Sequence, residues 1–259
     1  MKHRRPPRPR SVIAKVSVGF IHPGHYSACF AESLSDLLLY DLSGPQRTAH
    51  DHGKIGKECG SGGIVDGRNL LAKAMCDDSA ADWLFMVDSD MGFAPDIVER
   101  LIEAADPSLR PVVGGLAFAH KTDGRGEFFG IRYRAQPTLY TFVETDDKVG
   151  VVPTFDYPRD TLIEVDATGG ACVLIHRSVF AEVRSRYGDV WFDPITVPKG
   201  PTKFSEDLSF FLRLGFCRIP VHVHTGIKTT HDKGGVFLDE EFYDRQQAMK
   251  ELQCQPLPN

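Results

Sequence analysis

Residues 83–87 set five apolar side chains in succession, Trp83-Leu84-Phe85-Met86-Val87, between polar stretches. A short unbroken run of this kind predicts a strand buried on both faces inside an α/β sheet. Runs of the same character at 12–21, 111–118 and 171–175 predict three more. Between them the apolar positions fall at helical spacing. Phe30, Leu34, Leu37 and Leu38 mark one helix, and Leu70, Leu71, Ala74 and Met75 mark another over 64–75. Ile97, Leu101 and Ala105 share a face of a third, with Pro95 near its first turn. Ser178 is placed to cap a fourth helix that runs to about Tyr187. A fifth starts at Ser205, turns Phe211 and Leu214 inward and meets Gly215 as its terminator.

Toward the end, 216–223 and a shorter segment closing on His231 read as strands, and 239–252 as a surface helix. The middle changes character. Residues 129–133, 139–143 and 162–165 form short strand patterns joined by polar loops, which predicts an antiparallel extension beside the main sheet. The polar, glycine-rich 43–63 offers only a short strand near 46–50. The chain therefore divides into a flexible basic arm at 1–10, one α/β domain at 11–238, and a helix and tail at 239–259.

Composition narrows the function. A formal charge of -5 and a pI near 6.1 argue against general nucleic-acid binding by the domain, leaving only the basic arm to meet an anionic partner. The six cysteines are scattered with no CxxC pair, so a zinc ribbon is excluded and reduced core thiols are expected. No apolar run is long enough to span a bilayer, and the start lacks the apolar core of a secretory signal. These features read as a cytoplasmic protein with no membrane partner.

The candidate chemistry sits where strands end. Val87 runs into Asp88-Ser89-Asp90, two like charges at the ligand-binding edge of a sheet. Carboxylate oxygens are hard ligands, so a divalent cation such as Mg²⁺ or Mn²⁺ is the natural remedy, although acidic turns are also common without one. Arg68 and Asn69, early in their helix, are expected at the same edge, where a guanidinium can pair either with a diphosphate or with a structural carboxylate. Gly169 and Gly170 suit close backbone approach to a ligand, or a simple turn. Trp191 and Phe192 offer rings for a pocket wall or for the core. Glu206 and Asp207 open a helix, a place its dipole favours for acids in any case.

Taken in order, Gly67-Arg68-Asn69, Asp88-Ser89-Asp90, Gly169-Gly170, Ser205-Glu206-Asp207 and His231 resemble the GT-A nucleotide-sugar glycosyltransferases. The likeness is greatest to the inverting, family-2-like enzymes, especially small phage and bacterial ones. The resemblance implies a single Rossmann-like domain with a mostly parallel central sheet. It implies Mn²⁺ or Mg²⁺ held by Asp88, Asp90 and His231, with His222 and His224 as rival histidines. It further implies donor contacts from Arg68, Asn69, Asp88, Gly169 and Gly170, and a sugar or acceptor pocket shaped by Trp191 and Phe192. Asp207 would be the general base, assisted by Glu206. The donor would be a nucleoside-diphosphate sugar, a UDP-sugar by default, because the acidic strand end that often reads the base is not evident between 43 and 63. The acceptor would be a hydroxyl of a protein, glycan or other polymer. The alternatives are a retaining enzyme on the same fold or a catalytically inactive nucleotide-sugar-binding module.

Overall fold

The computed structural model describes residues 13–44, 46–48, 56–58, 63–121, 134–146, 149–197 and 203–253. Val16–His22 (β1) leads to Ala28–Ser43 (α1), Gly56–Glu58 (β2) and Gly63–Asp77 (α2). Trp83–Val87 (β3), Met91–Phe93 (β4) and Ile97–Ala104 (α3) follow, then Val112–Leu116 (β5), Phe118–Lys121 (β6) and Arg134–Pro137 (β7). Next come Tyr140–Glu144 (β8), Val149–Pro153 (β9), Leu162–Val165 (β10), Cys172–His176 (β11) and Arg177–Tyr187 (α4). Glu206–Cys217 (α5), Val221–Asp232 (β12), Phe237–Leu238 (β13) and Glu240–Gln253 (α6) complete the order.

The central sheet runs β10-β12-β5-β11-β3-β1-β2. Strands β1, β2, β3, β5 and β12 share one direction while β10 and β11 oppose it, so the sheet is mostly parallel by strand direction. The pairs β6–β7 and β8–β9 are antiparallel ribbons beside it, the expected extension.

Alternation along the strands sorts the core into two layers. Trp83, Phe85 and Val87 of β3 join Val16, Val18 and Phe20 of β1 beneath α1 and α3, against Phe30, Leu37, Ile97 and Leu101. Leu84 and Met86 face the other way, packing with Leu71, Met75, Phe180, Phe210 and Phe211 of α2, α4 and α5. Helix α2 lies so close to the sheet that a Cβ on Gly19 would fall 2.8 Å from Leu84 Cδ1 and 3.3 Å from Leu71. Fully burying side chains of this size stabilises by roughly 1.5–3 kcal/mol each before chain entropy opposes it. A third cluster, with Leu116, Phe118, Leu139, Tyr157 and Tyr243, seats α6.

Several expectations are corrected. Helix α5 passes Gly215 and ends at Arg218, whose φ of 58° is left-handed. Ile219 N–H donates to the Leu214 carbonyl at 3.0 Å and Arg218 N–H to Gly215 at 2.9 Å, so 216–217 close a helix where a strand was expected. The two final strands are one, β12, with a register shift between His224 and Lys228. Ser178 is not the cap: His176 occupies that position and its Nδ1 accepts from Ser178 N–H at 3.4 Å. Residues 46–48 form no strand, because Asp41 gathers Arg47 N–H, Thr48 N–H and the Thr48 hydroxyl, and the sheet edge is β2. The remaining residues of that expected strand, 49–50, and the expected strand at 129–133 lie outside the described residues.

Candidate functional site

Strands β1, β3 and β12 deliver their carboxyl ends to one edge of the sheet, the edge where open α/β folds bind ligands. The turn after β3 is anchored from remote parts of the chain. Asp88 N–H donates to the Ala171 carbonyl at 3.0 Å, the Ser89 carbonyl accepts from Ser27 at 3.0 Å, and the Asp90 carbonyl accepts from Asp232 at 2.8 Å. Strand β4 then pairs with β12 in the register Met91↔His231, which brings His231 beside Asp90.

Asp90 Oδ2 lies 2.7 Å from Lys233 Nζ and 3.2 Å from His231 Nε2. Burial pulls this carboxyl upward, but His231 and Lys233 outweigh it and hold its pKa at about 2. His231 Nδ1 donates to the Phe118 carbonyl at 2.8 Å, which turns Nε2 toward Asp90. That Nε2 is buried and, among the described residues, has no polar partner beyond the Asp90 carboxylate. Once free of a proton, an imidazole nitrogen beside a carboxylate oxygen is a donor set that fits a divalent cation. His222 and His224 sit in the other half of β12, at register positions opposite Glu164 and Leu162.

Asp88 does not join this pair. Its Oδ1 accepts from Arg68 at 2.8 Å, and the other arm of the same guanidinium holds Glu206 Oε1 at 3.0 Å. The expected three-ligand set is therefore not assembled, and no group of three His, Cys, Asp or Glu is gathered to hold a metal among the described residues. Two protein ligands would leave coordination positions for phosphate oxygens and water, the common arrangement for Mg²⁺. Arg68 is 4% exposed. Burial lowers its pKa, and Asp88, Asp207 and Glu206 more than compensate, so the net direction is up. Of the two partners open to Arg68 in the sequence, the structure gives it carboxylates.

Five other expected site residues are turned inward. A Cβ on Gly170 would lie 2.5 Å from Arg68 Nη1, so this glycine makes room for the guanidinium. Gly169 packs on Thr138. Asn69 accepts from Phe192 N–H at 2.8 Å and donates to Asp193 at 2.9 Å, fixing the loop after α4. Trp191 and Phe192 are fully buried: the indole donates to the Phe180 carbonyl at 2.9 Å, and Phe192 stacks on Phe210 with centroids 4.5 Å apart. Neither ring offers a surface to a sugar.

The carboxyl edge opens into a cavity of about 1060 Å³ whose lining includes Asp88, Asp90, Glu206 and Asp207. Asp207 Oδ1 accepts from Leu208 N–H at 2.8 Å and from the Ser205 hydroxyl, so it is held at the start of α5. The lining adds residues whose role the sequence did not reveal: Tyr26, His120, Asp232 and Lys233. His22, which ends β1, and His25, in the loop that follows, line it as well. Tyr26 is half exposed and stands edge-on to His22, with centroids 6.1 Å apart. The signal for Tyr26 was its place after the first strand; for Lys233 it was the glycine pair that follows it.

No protein-family model matches the chain, and no curated protein matches it in sequence. Solved structures do match. A197 from STIV superposes with a TM-score of 0.53 at 14% identity, over 88% of this chain and 91% of that one. GalNAc-T7, solved with UDP, GalNAc and Mn²⁺, superposes with a TM-score of 0.54 at 10% identity, over 87% of this chain and 45% of that one. The likeness is one of fold: the chain has the GT-A fold. Among the described residues no helix is long and apolar enough to cross a membrane.

Proposed function

We propose that the protein is a metal-dependent, inverting glycosyltransferase that moves a sugar from a nucleoside-diphosphate donor, UDP by default, to a hydroxyl of a protein or glycan. The observation that carries this reading is the shared cavity. At one strand-end edge it collects Asp90, next to the buried Nε2 of His231, together with the acids that open α5. The GT-A fold, and the UDP and Mn²⁺ in the GalNAc-T7 structure, support the choice of donor and cation.

Asp90 and His231 are the residues that would hold the cation. A bound Mn²⁺ or Mg²⁺ supplies positive charge against the diphosphate leaving group. Tyr26 and His22 offer aromatic surface for the base. Asp207 accepts the proton of the acceptor hydroxyl as its oxygen bonds to the anomeric carbon and the bond to the diphosphate oxygen breaks. Glu206, tied to Arg68, sets the start of α5 and so positions its neighbour.

Two substitutions divide these roles. Asp207→Asn is expected to lower transfer by roughly 10²–10⁴-fold, the usual share of a positioned base, and to leave UDP affinity in Mn²⁺ unchanged. Asp90→Asn is expected to lose Mn²⁺-dependent UDP binding in calorimetry. Equal UDP affinity in wild type and Asp90→Asn, with and without metal, would remove the assignment. Full transfer by Asp207→Asn would leave a retaining scheme as the better account.

A further inference from the structure

Among the described residues two Arg or Lys side chains line the cavity, Arg68 and Lys233, and they differ in what they can do. Arg68 has a side chain only 5% exposed and is engaged at both ends by Asp88 and Glu206. Lys233 is 31% exposed, and among the described residues its carboxylate partner is Asp90 Oδ2 at 2.7 Å. That oxygen also lies 3.2 Å from the buried His231 Nε2. The ammonium thus supplies positive charge at the Asp90 carboxylate.

The backbone under Lys233 is fixed. Strands β12 and β13 pair as Asp232↔Phe237, Lys233 N–H donates to Val236 at 2.9 Å, and Asp232 Oδ1 accepts from Gly235 N–H at 2.7 Å. Gly234 and Gly235, at φ of 69° and 89°, make the two-residue turn that only a left-handed pair completes. A change of partner by Lys233 therefore needs only its own four-carbon stem to swing.

We infer that Lys233 is an exchangeable counter-ion. It holds Asp90 while the site carries no divalent cation, and it yields that oxygen to bind the phosphates of the donor once a cation is bound. This rests on the proposed donor and cation. It adds a phosphate-binding residue on the turn after β12, and it makes metal affinity depend on a lysine that is not a ligand. The two cations compete for one carboxylate oxygen, so removing the ammonium favours the metal. The donor then loses a charge-assisted hydrogen bond.

The test is calorimetry with MnCl₂ alone, and with UDP at saturating Mn²⁺, on wild type, Lys233→Met and Asp90→Asn. Lys233→Met should bind Mn²⁺ roughly 5–10-fold more tightly in the absence of nucleotide. It should bind UDP at least about 10-fold more weakly in its presence. Methionine keeps much of the stem, and an unchanged melting curve confirms that the variant is folded. Unchanged or weaker Mn²⁺ binding by Lys233→Met, or unchanged UDP binding, overturns the exchange; if Asp90→Asn loses Mn²⁺ in the same series, the cation reading stands alone. If Asp90→Asn binds Mn²⁺ and UDP as wild type does, the cation reading falls and the exchange falls with it.

Discussion

Arg68 shows how a fold keeps a charge at 4% exposure. An unpaired buried guanidinium is prohibitive, so both ends are given carboxylates, Asp88 from the strand end and Glu206 from the helix start. The space it occupies belongs to Gly170, where a Cβ would sit 2.5 Å from Nη1 and 2.6 Å from Cζ. Gly170→Ala should push the guanidinium off its partners and lower stability by about 1–3 kcal/mol, as overpacking does. In an Arg68→Met background the same alanine should cost much less, and a double-mutant cycle in urea measures the difference. An additive cycle would mean that Gly170 serves the turn alone. At this scale the sequence was legible where one residue type has one chemistry. Asp90 and His231 sit together as expected. Arg68 was not legible, because its partners lie 20 and 138 residues away and nothing local chooses between a carboxylate and a phosphate. Trp191 and Phe192 were misplaced because an aromatic pair reads alike in a core and at a pocket wall.

Elements were legible where a full hydrophobic period exists, as in β1, β3 and β11, whose buried faces follow the sequence pattern. In α2 the pattern held only in part: Leu71 and Met75 are buried, but Leu70 points outward at 52% exposure, while Gly67, Arg68 and Ala72 take the inner face. Elements were not legible where tertiary contacts set the ends. Gly215 did not stop α5, because Cys217 is buried in the same core and Arg218 takes the left-handed cap. The two- and three-residue strands β13 and β4 are too short for any periodicity, yet β4 is the piece that registers His231 against the acidic turn. Helix α6 has its own fastening. Gln246 is 8% exposed; its Oε1 accepts from Ala135 N–H at 3.0 Å, and its Nε2 donates to the Ala135 carbonyl at 3.0 Å. Gln246→Ala leaves both backbone groups of β7 unsatisfied and should lower stability by about 1–3 kcal/mol in urea denaturation. Neither residue lines the cavity, so UDP affinity should not move. A nucleotide effect without a stability effect would mean that α6 reaches the site by a route other than this clasp.

On the scale of the whole molecule, the class and mostly parallel direction of the sheet were legible, whereas the gathering of the site was not. Its lining comes from 21–27, 63–68, 88–90, 120, 206–207 and 232–234, segments that meet only when the sheet is formed. A ligand that touches several of them binds the folded chain and not the unfolded one, so it must raise the melting temperature by mass action. At about 100 times its dissociation constant a ligand contributes about 2.7 kcal/mol, and a domain of this size gains roughly 2–4 °C per kcal/mol. UDP with Mn²⁺ should therefore raise the melting temperature by roughly 5–10 °C, and chelation by EDTA should return it to the unliganded value. Asp207→Asn, altered at the base but not at the cation pair, should keep the whole shift. Asp90→Asn should lose it, because the oxygen shared by His231 and Lys233 is gone. Differential scanning calorimetry on the three proteins, each with and without Mn²⁺ and UDP, reads all of this at once. A shift that survives in Asp90→Asn would put the nucleotide somewhere other than the edge formed by β1, β3 and β12.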